Sequence, residues 1–301
     1  MKHYHGKYQS STQTSTRARP FFWVGLGCCL AAAGFLVYLG LFFLGAARQR
    51  QENAKAAKTY VQEAPAQTDP VAAAEAATEA ATEQAAQEAP EPARAEQPEE
   101  PSTEAPTEPR FPTVDFQGLL AKNPQVVAWL QIPAMESVNY PVVQGQDNAY
   151  YASHSWEAAE SDHGAIFLDY ENAADFSQAH SILYGHCMKD GTMFQPLGKW
   201  EGQSFFTNND RTLLLFLPGE TRVYEIFAVE RVNALDSRVY KTDYSSDGIW
   251  SAALAKTLQS APVKSEPILT QDSRVLTLST CMADMERLVV HALCLEVISL
   301  P

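Results

Sequence analysis

Residues 275–281 read V-L-T-L-S-T-C. Val275, Leu276 and Leu278 make a short apolar run of the kind that forms a buried strand, and Ser279 and Thr280 are small and polar where that strand would end. The run stops on Cys281, and Met282-Ala283-Asp284 reads as a loop. Arg287 then opens a second apolar run, R-L-V-V-H-A-L-C-L-E-V. Far upstream, S-I-L-Y-G-H ends on His186. A thiol, an imidazole and a guanidinium, each at the edge of an apolar run, can serve as nucleophile, general acid/base and oxyanion donor.

Each of the three also has a plainer reading. Cys281 can be a buried core cysteine, a common fate for this residue, although its place at a strand mouth favours reactivity. Arg287 can be a surface charge capping a strand. His186 has the clearer setting: Gly185 permits a tight backbone beside it, and Asp190-Gly191 is a turn signal just beyond. An imidazole at a strand end suits proton transfer near neutral pH. The remaining histidines point to no site. His3 and His5 lie in a polar tail, His154, His163 and His180 are expected in solvated loops, and His291 is expected within a strand. Cys294 reads as core. Cys187 follows His186 directly, and a disulfide from it to Cys281 would block the nucleophile.

The 301 residues are unevenly built, with a net charge of −14. Residues 1–20 form a polar tail carrying bases and no acid. Residues 21–47 hold no charge. A run of roughly 20 apolar residues crosses a bilayer, and a cleaved leader's apolar region is shorter, about 7–15 residues. An uncleaved transmembrane anchor at 21–47 is therefore expected. Bases flank it on both sides, so the positive-inside rule does not orient it. The short tail is placed in the cytoplasm because the other end leads to a long acidic segment and the globular part. Residues 48–110 are rich in Ala, Glu and Pro, and are expected to be a disordered linker that cannot bury enough apolar surface to fold. About 60 such residues would reach on the order of 40 Å.

The globular part spans residues 111–301 and carries 12 Lys/Arg against 23 Asp/Glu. Its acidity disfavours nucleic acid as a partner. Its cysteines lack the spacing of a zinc site or a disulfide framework, and no metal or cofactor is expected. Phe116, Leu119 and Leu120 suggest a short amphipathic helix, and Asn123-Pro124 resembles a helix start. Strands are expected at 127–132, 138–143, 166–169, 182–186, 211–217, 222–232, 275–281 and 287–297. Eight strands in this length predict a mainly β fold, an eight-stranded closed barrel. One helix is expected at 245–260, where Trp250, Leu254 and Leu258 recur at helical spacing, and its expected place is over a barrel opening.

Taken together, these residues resemble a class B sortase over roughly residues 123–298. The resemblance rests on Thr277-Leu278-Ser279-Thr280-Cys281 and on Tyr184-Gly185-His186, followed by Asp190-Gly191-Thr192-Met193-Phe194. Asn139-Tyr140-Pro141-Val142-Val143-Gln144-Gly145 and Gly164-Ala165-Ile166-Phe167-Leu168-Asp169 add to it. It implies the sortase barrel, with peripheral helices, and a membrane-anchored cysteine transpeptidase of the peptidase-type hydrolases. Cys281 would be the nucleophile, His186 the general acid/base and Arg287 the oxyanion or substrate stabiliser. Asn139, Val143, Tyr240 and Ser279 would line the substrate groove. The implied substrates are secreted proteins bearing a C-terminal sorting signal, cleaved after Thr through a thioester. The acceptor would be an amine of a peptidoglycan precursor or cell-wall peptide, with the catalytic domain outside the cell. Two alternatives are a pilin-polymerising sortase and an inactive tethered wall-binding module. No Asp-Pro-aromatic lid motif precedes Asn123, which disfavours the first. Two features depart from the family pattern: a short loop between Cys281 and Arg287, and Cys187 itself.

Overall fold

The structure, a computed structural model, describes residues 19–63, 110–236, 238–244, 249–281 and 285–300. They divide into two compact units, one up to Glu52 and one from Asn53 onward. Helix α1 (Arg19–Tyr60) begins in the first unit. From Ala31 it is long and apolar enough to cross a membrane by length and composition. Phe35, Leu36, Val37, Tyr38, Phe43 and Leu44 are all exposed on it. An exposed apolar stretch of this length is consistent with a membrane anchor.

The disordered linker expected from residue 48 does not begin there. Helix α1 continues to Tyr60, and β1 (Val61–Gln62) pairs antiparallel with β2 (Thr113–Val114). Burial is the reason. Ala56 is buried, and Ala57, Tyr60 and Val61 pack with Leu119, Val126 and Trp156. The ring of Tyr60 meets Trp156 edge-on, 6.0 Å between centroids. Residues 64–109, the rest of the expected linker, and residues 1–18 lie outside the described residues.

Helix α2 (Phe116–Lys122) is capped by Asp115, whose carboxylate accepts from the Gly118 N–H at 2.9 Å. Asn123 ends this helix rather than starting another. Its side-chain oxygen accepts from Gln125 N–H, and its amide donates to the Tyr151 hydroxyl and the Trp156 carbonyl. The apolar run that follows, β3 (Val126–Gln131), is buried in a sheet, and sheet pairing overrides the local cap signal.

The other strands are β4 (Asn139–Val143), β5 (Ile166–Leu168), β6 (His180–Gly185), β7 (Thr212–Leu217), β8 (Glu220–Asn233), β9 (Val263–Lys264), β10 (Val275–Cys281) and β11 (Glu286–Ser299). Their order is β11-β10-β6-β5-β4-β3-β7-β8, and β8 pairs back onto β11. Eight strands therefore close a barrel, as expected, with β9 added on β8. Closure removes the free sheet edges that would otherwise offer pairing to another chain.

Alternation along each strand sorts side chains inward and outward. Leu183, Leu276, Leu278, Leu288 and Val290 fill the interior with Phe194, Leu197 and Trp200. Thr277, Ser279, Val289 and His291 take the outward positions. A short helix α3 (Gln203–Asn208) precedes β7. Helix α4 (Ile249–Ser260) packs Trp250 and Leu254 against Phe227, Val275 and Leu293. It covers the outer wall rather than an opening, because Val275 and Leu293 are cross-strand partners on the outward face. Residues 245–248, its expected first turn, lie outside the described residues.

Candidate active site

Register brings the predicted trio to one edge. Strands β6 and β10 run parallel, with Gly185 opposite Thr280. His186 thus leaves β6 where β10 reaches Cys281. Strands β10 and β11 are antiparallel, and Cys281 is the register partner of Arg287. Cross-strand partners share a sheet face, so Arg287, two residues before Val289, falls on the outward face with Ser279. A Cβ on Gly185 would lie 2.6 Å from the Ile166 Cδ1 and 2.9 Å from Cγ of the buried Phe194 ring, so a larger residue before His186 has to displace core packing.

A cleft of about 440 Å³ opens at this edge. His186, Arg287, Tyr184, Ser279 and Tyr240 line it, with Asp169 and Ala152. The half-buried imidazole of His186 has its Nε2 2.7 Å from the Ala152 carbonyl. The Arg287 guanidinium donates to the Glu286 carbonyl at 2.9 Å. The hydroxyls of Tyr240 and Ser279 lie 3.0 Å apart, and the Tyr240 ring stacks near Tyr184, 6.3 Å between centroids. Burial, then the charge of Asp169, holds the Tyr184 phenol well above its ordinary pKa. It therefore stays protonated and donates to Asp169 Oδ2 at 2.7 Å.

Of the four expected groove residues, Tyr240 and Ser279 line the cleft; Asn139 and Val143 are not among its lining residues. Asn139 instead accepts from the Trp129 indole N–H at 2.6 Å, and Val143 is fully buried beside Trp129 and Phe167. A larger groove of about 610 Å³ lies along α3, β7 and β8, past Phe206, Arg211, Tyr224 and Lys264. Among the described residues it shares none with the cleft of His186 and Arg287.

Two histidines depart from the expected solvated loops. His180 is buried on β6, with Nδ1 2.7 Å from the Lys241 carbonyl and Nε2 2.8 Å from Thr277 Oγ1. His163 is buried too, and its Nε2 lies 3.0 Å from Asp190 Oδ2. Burial opposes ionisation of Asp190, yet the Thr192 hydroxyl and His163 hold its carboxyl below the usual range. His154 stacks on Tyr150, 4.0 Å between centroids. Cys187 and Cys294 are both half-buried. The Ala152 carbonyl and the Asp169–Tyr184 pair escaped sequence reading: a main-chain group has no residue signature, and Asp169 at a strand end was the only signal for the pair.

Among the described residues, no group of His, Cys, Asp and Glu is arranged to hold a metal. What the cleft presents is the His186 imidazole and the Arg287 guanidinium, at the strand edge where β10 ends. The profile of the Sortase domain family matches residues 130–294.

The chain belongs to the sortase family.

Within it, the similarity is to class B. Sortase B of Listeria monocytogenes is 33% identical over 168 residues, 56% of this chain and 67% of that protein. The X-ray structure of Clostridium perfringens sortase B superposes with a TM-score of 0.56 at 31% identity, covering 60% of this chain and 99% of that one. A Staphylococcus aureus sortase B–substrate complex gives the same TM-score at 28% identity, covering 60% of this chain and 84% of that one. This class B sortase is thus a cysteine transpeptidase by family, carried on the closed barrel.

Proposed function

We propose that this sortase cleaves a C-terminal sorting signal of secreted proteins after Thr and transfers the new carboxyl end to a cell-wall amine. The observation that carries the reading is the register of three strands, with Cys281 opposite Arg287 and next to the exit of His186. The Cys281 thiolate attacks the scissile carbonyl carbon, and the carbonyl oxygen becomes an oxyanion. Arg287 supplies a planar donor to that charge. The C–N bond breaks, His186 gives its proton to the leaving amine, and a thioester remains on Cys281. The incoming amine then attacks the thioester, His186 takes a proton from it, and the thiolate leaves as the new amide forms. Every electron pair is accounted for without a cofactor.

Helix α1 supports the cellular arrangement. In this reading residues 21–47 anchor the chain, the N-terminus lies in the cytoplasm, and the barrel works outside the membrane on the wall.

The test uses the full chain in detergent, with a pool of peptides containing Thr-cleavable sorting signals and a wall-type amine. Mass spectrometry is expected to find an acyl adduct on Cys281 and a ligated product, and Cys281→Ala to give neither. Ligation by Cys281→Ala at the parent rate rejects the nucleophile assignment. A stable cleft that forms no adduct with any peptide points instead to an inactive wall-binding module, and polymer ladders from pilin subunits point to the pilin-polymerising role.

A further inference from the structure

We propose that Gly164 is a positioning residue for His186, acting through the main-chain carbonyl of Ala152. The inference rests on His186 as the proton-transfer group of the reading above. His186 Nε2 lies 2.7 Å from the Ala152 oxygen. A carbonyl oxygen only accepts, so Nε2 carries the hydrogen and, in the neutral ring, Nδ1 is the basic nitrogen. The bond thus selects which nitrogen exchanges protons with nucleophile and leaving group, and it sets the plane of the ring.

Ala152 closes a single 3-10 turn, Tyr150–Ala152. That turn is pinned. The Tyr151 side chain is fully buried, its hydroxyl accepting from Asn123 at 2.8 Å and donating to Gln125 at 2.7 Å. The Ala165 N–H donates to the Tyr151 carbonyl at 2.9 Å. Just before Ala165, Gly164 holds φ +60, and a Cβ there would sit 2.6 Å from the Tyr151 oxygen and 2.9 Å from the Ala152 oxygen. Only glycine lets this strap lie against both carbonyls. On its other side the strap is tied by His163 to Asp190, in the turn just after His186. The turn that receives the imidazole and the turn that follows His186 are therefore joined through residues 163–165. A methyl group at 164 has to displace the strap or the Ala152 carbonyl, and either moves the acceptor that orients the ring.

Nitrogen NMR of the full chain, labelled at histidine, reads the tautomer directly. A Cys281→Ala background at alkaline pH keeps the ring neutral, and His186→Gln identifies the signal. The Gly164 protein is expected to show the Nε2–H tautomer and G164A a mixture of both. With Cys281 intact, G164A is expected to lower kcat by about 10- to 100-fold at little changed KM, the scale of a misplacement near 1 Å. G219A is the control: Gly219 has φ +89 with nothing within 4 Å of an added Cβ, so it carries similar backbone strain and is expected to keep both tautomer and kcat. A predominant Nδ1–H tautomer in the Gly164 protein overturns the proposal, as does a G164A protein with parent tautomer and kcat. Where G164A does not fold, His163→Ala loosens the same strap, and parent behaviour there overturns it equally. An Nε2–H tautomer in a protein that transfers no acyl group rejects the assigned reaction while leaving this carbonyl's role standing.

Discussion

The Tyr240 phenol and the Ser279 hydroxyl lie 3.0 Å apart, joining the segment after β8 to β10 two residues short of Cys281. The contact crosses 39 positions of chain and closes one side of the cleft. Tyr240→Phe and Ser279→Ala each remove one partner of a bond worth about 1 kcal/mol, roughly a 5-fold effect. Each is expected to lower kcat/KM by about that factor. The double variant is expected to be little worse than either single one, because both report one bond. Steady-state kinetics on the four proteins test this, and fully additive losses would mean that the residues act separately.

Arg287 offers a fork of donors at the position opposite Cys281. Lysine keeps the charge but loses the planar geometry. Arg287→Lys is expected to cost on the order of 100-fold in kcat, the scale of losing an oxyanion donor. Its melting temperature is expected to stay near the parent value, since the side chain is only half-buried. Activity within a few-fold of the parent would remove Arg287 from the proposed mechanism.

A buried polar chain crosses the outer wall from β6 to β8. His180 meets Thr277, Thr277 meets His291 at 2.9 Å, His291 approaches Glu230, and Glu230 binds Arg238. Burial above all pushes the His180 pKa down to about 4, with repulsion from His291 adding to it and the Lys241 carbonyl opposing. A depressed histidine favours folding while it is neutral. That stability is whole above the unfolded value of 6.5 and is lost as pH falls toward 4, on the order of 3 kcal/mol in all. Glu230, down to about 2 against its own burial through His291 and Arg238, loses its contribution only below about 4.5. Urea midpoints should therefore drop between pH 6.5 and 4, and His180→Gln should flatten that part of the curve. An unchanged slope in His180→Gln would place the pH dependence elsewhere.

The end of α1 belongs to the barrel's packing. Trp156 is buried against Tyr60 and beneath the Asn123 amide. Trp156→Ala is expected to cost about 3–5 kcal/mol, and Tyr60→Ala less, because Tyr60 is only half-buried. Denaturant titration of the full chain compares them. Equal and negligible losses would mean that α1 ends without docking.

Sequence reading reached most of the barrel because each wall strand is an apolar run with its own boundaries. All eight run within two residues of where the pattern predicts, and β8 and β11 extend past it at both ends. The reading failed where local and distant signals competed. Asn123-Pro124 looks like a helix start, but Asn123 spends its side chain on Tyr151 and Trp156, contacts that no neighbouring residue announces. His180 sits among polar neighbours in the chain and was expected in water, while its partners, Thr277 and Lys241, lie 97 and 61 positions away. Asn139 accepts from Trp129 and Val143 lies in the core, contacts set by strand pairing that their own stretch of sequence does not announce.

By itself the sequence determined the elements: an uncharged helix at one end, eight apolar strands, and a cysteine, a histidine and an arginine at strand edges. Hydrophobic periodicity is local, so it can be read without the fold. Only the tertiary structure decided the register that sets Cys281 opposite Arg287, the carbonyl that receives His186, and the docking of residues 56–61 against Trp156. Those depend on which strands become neighbours. That choice follows from burying all the apolar faces at once in a closed barrel, a condition on the whole chain that no single stretch contains.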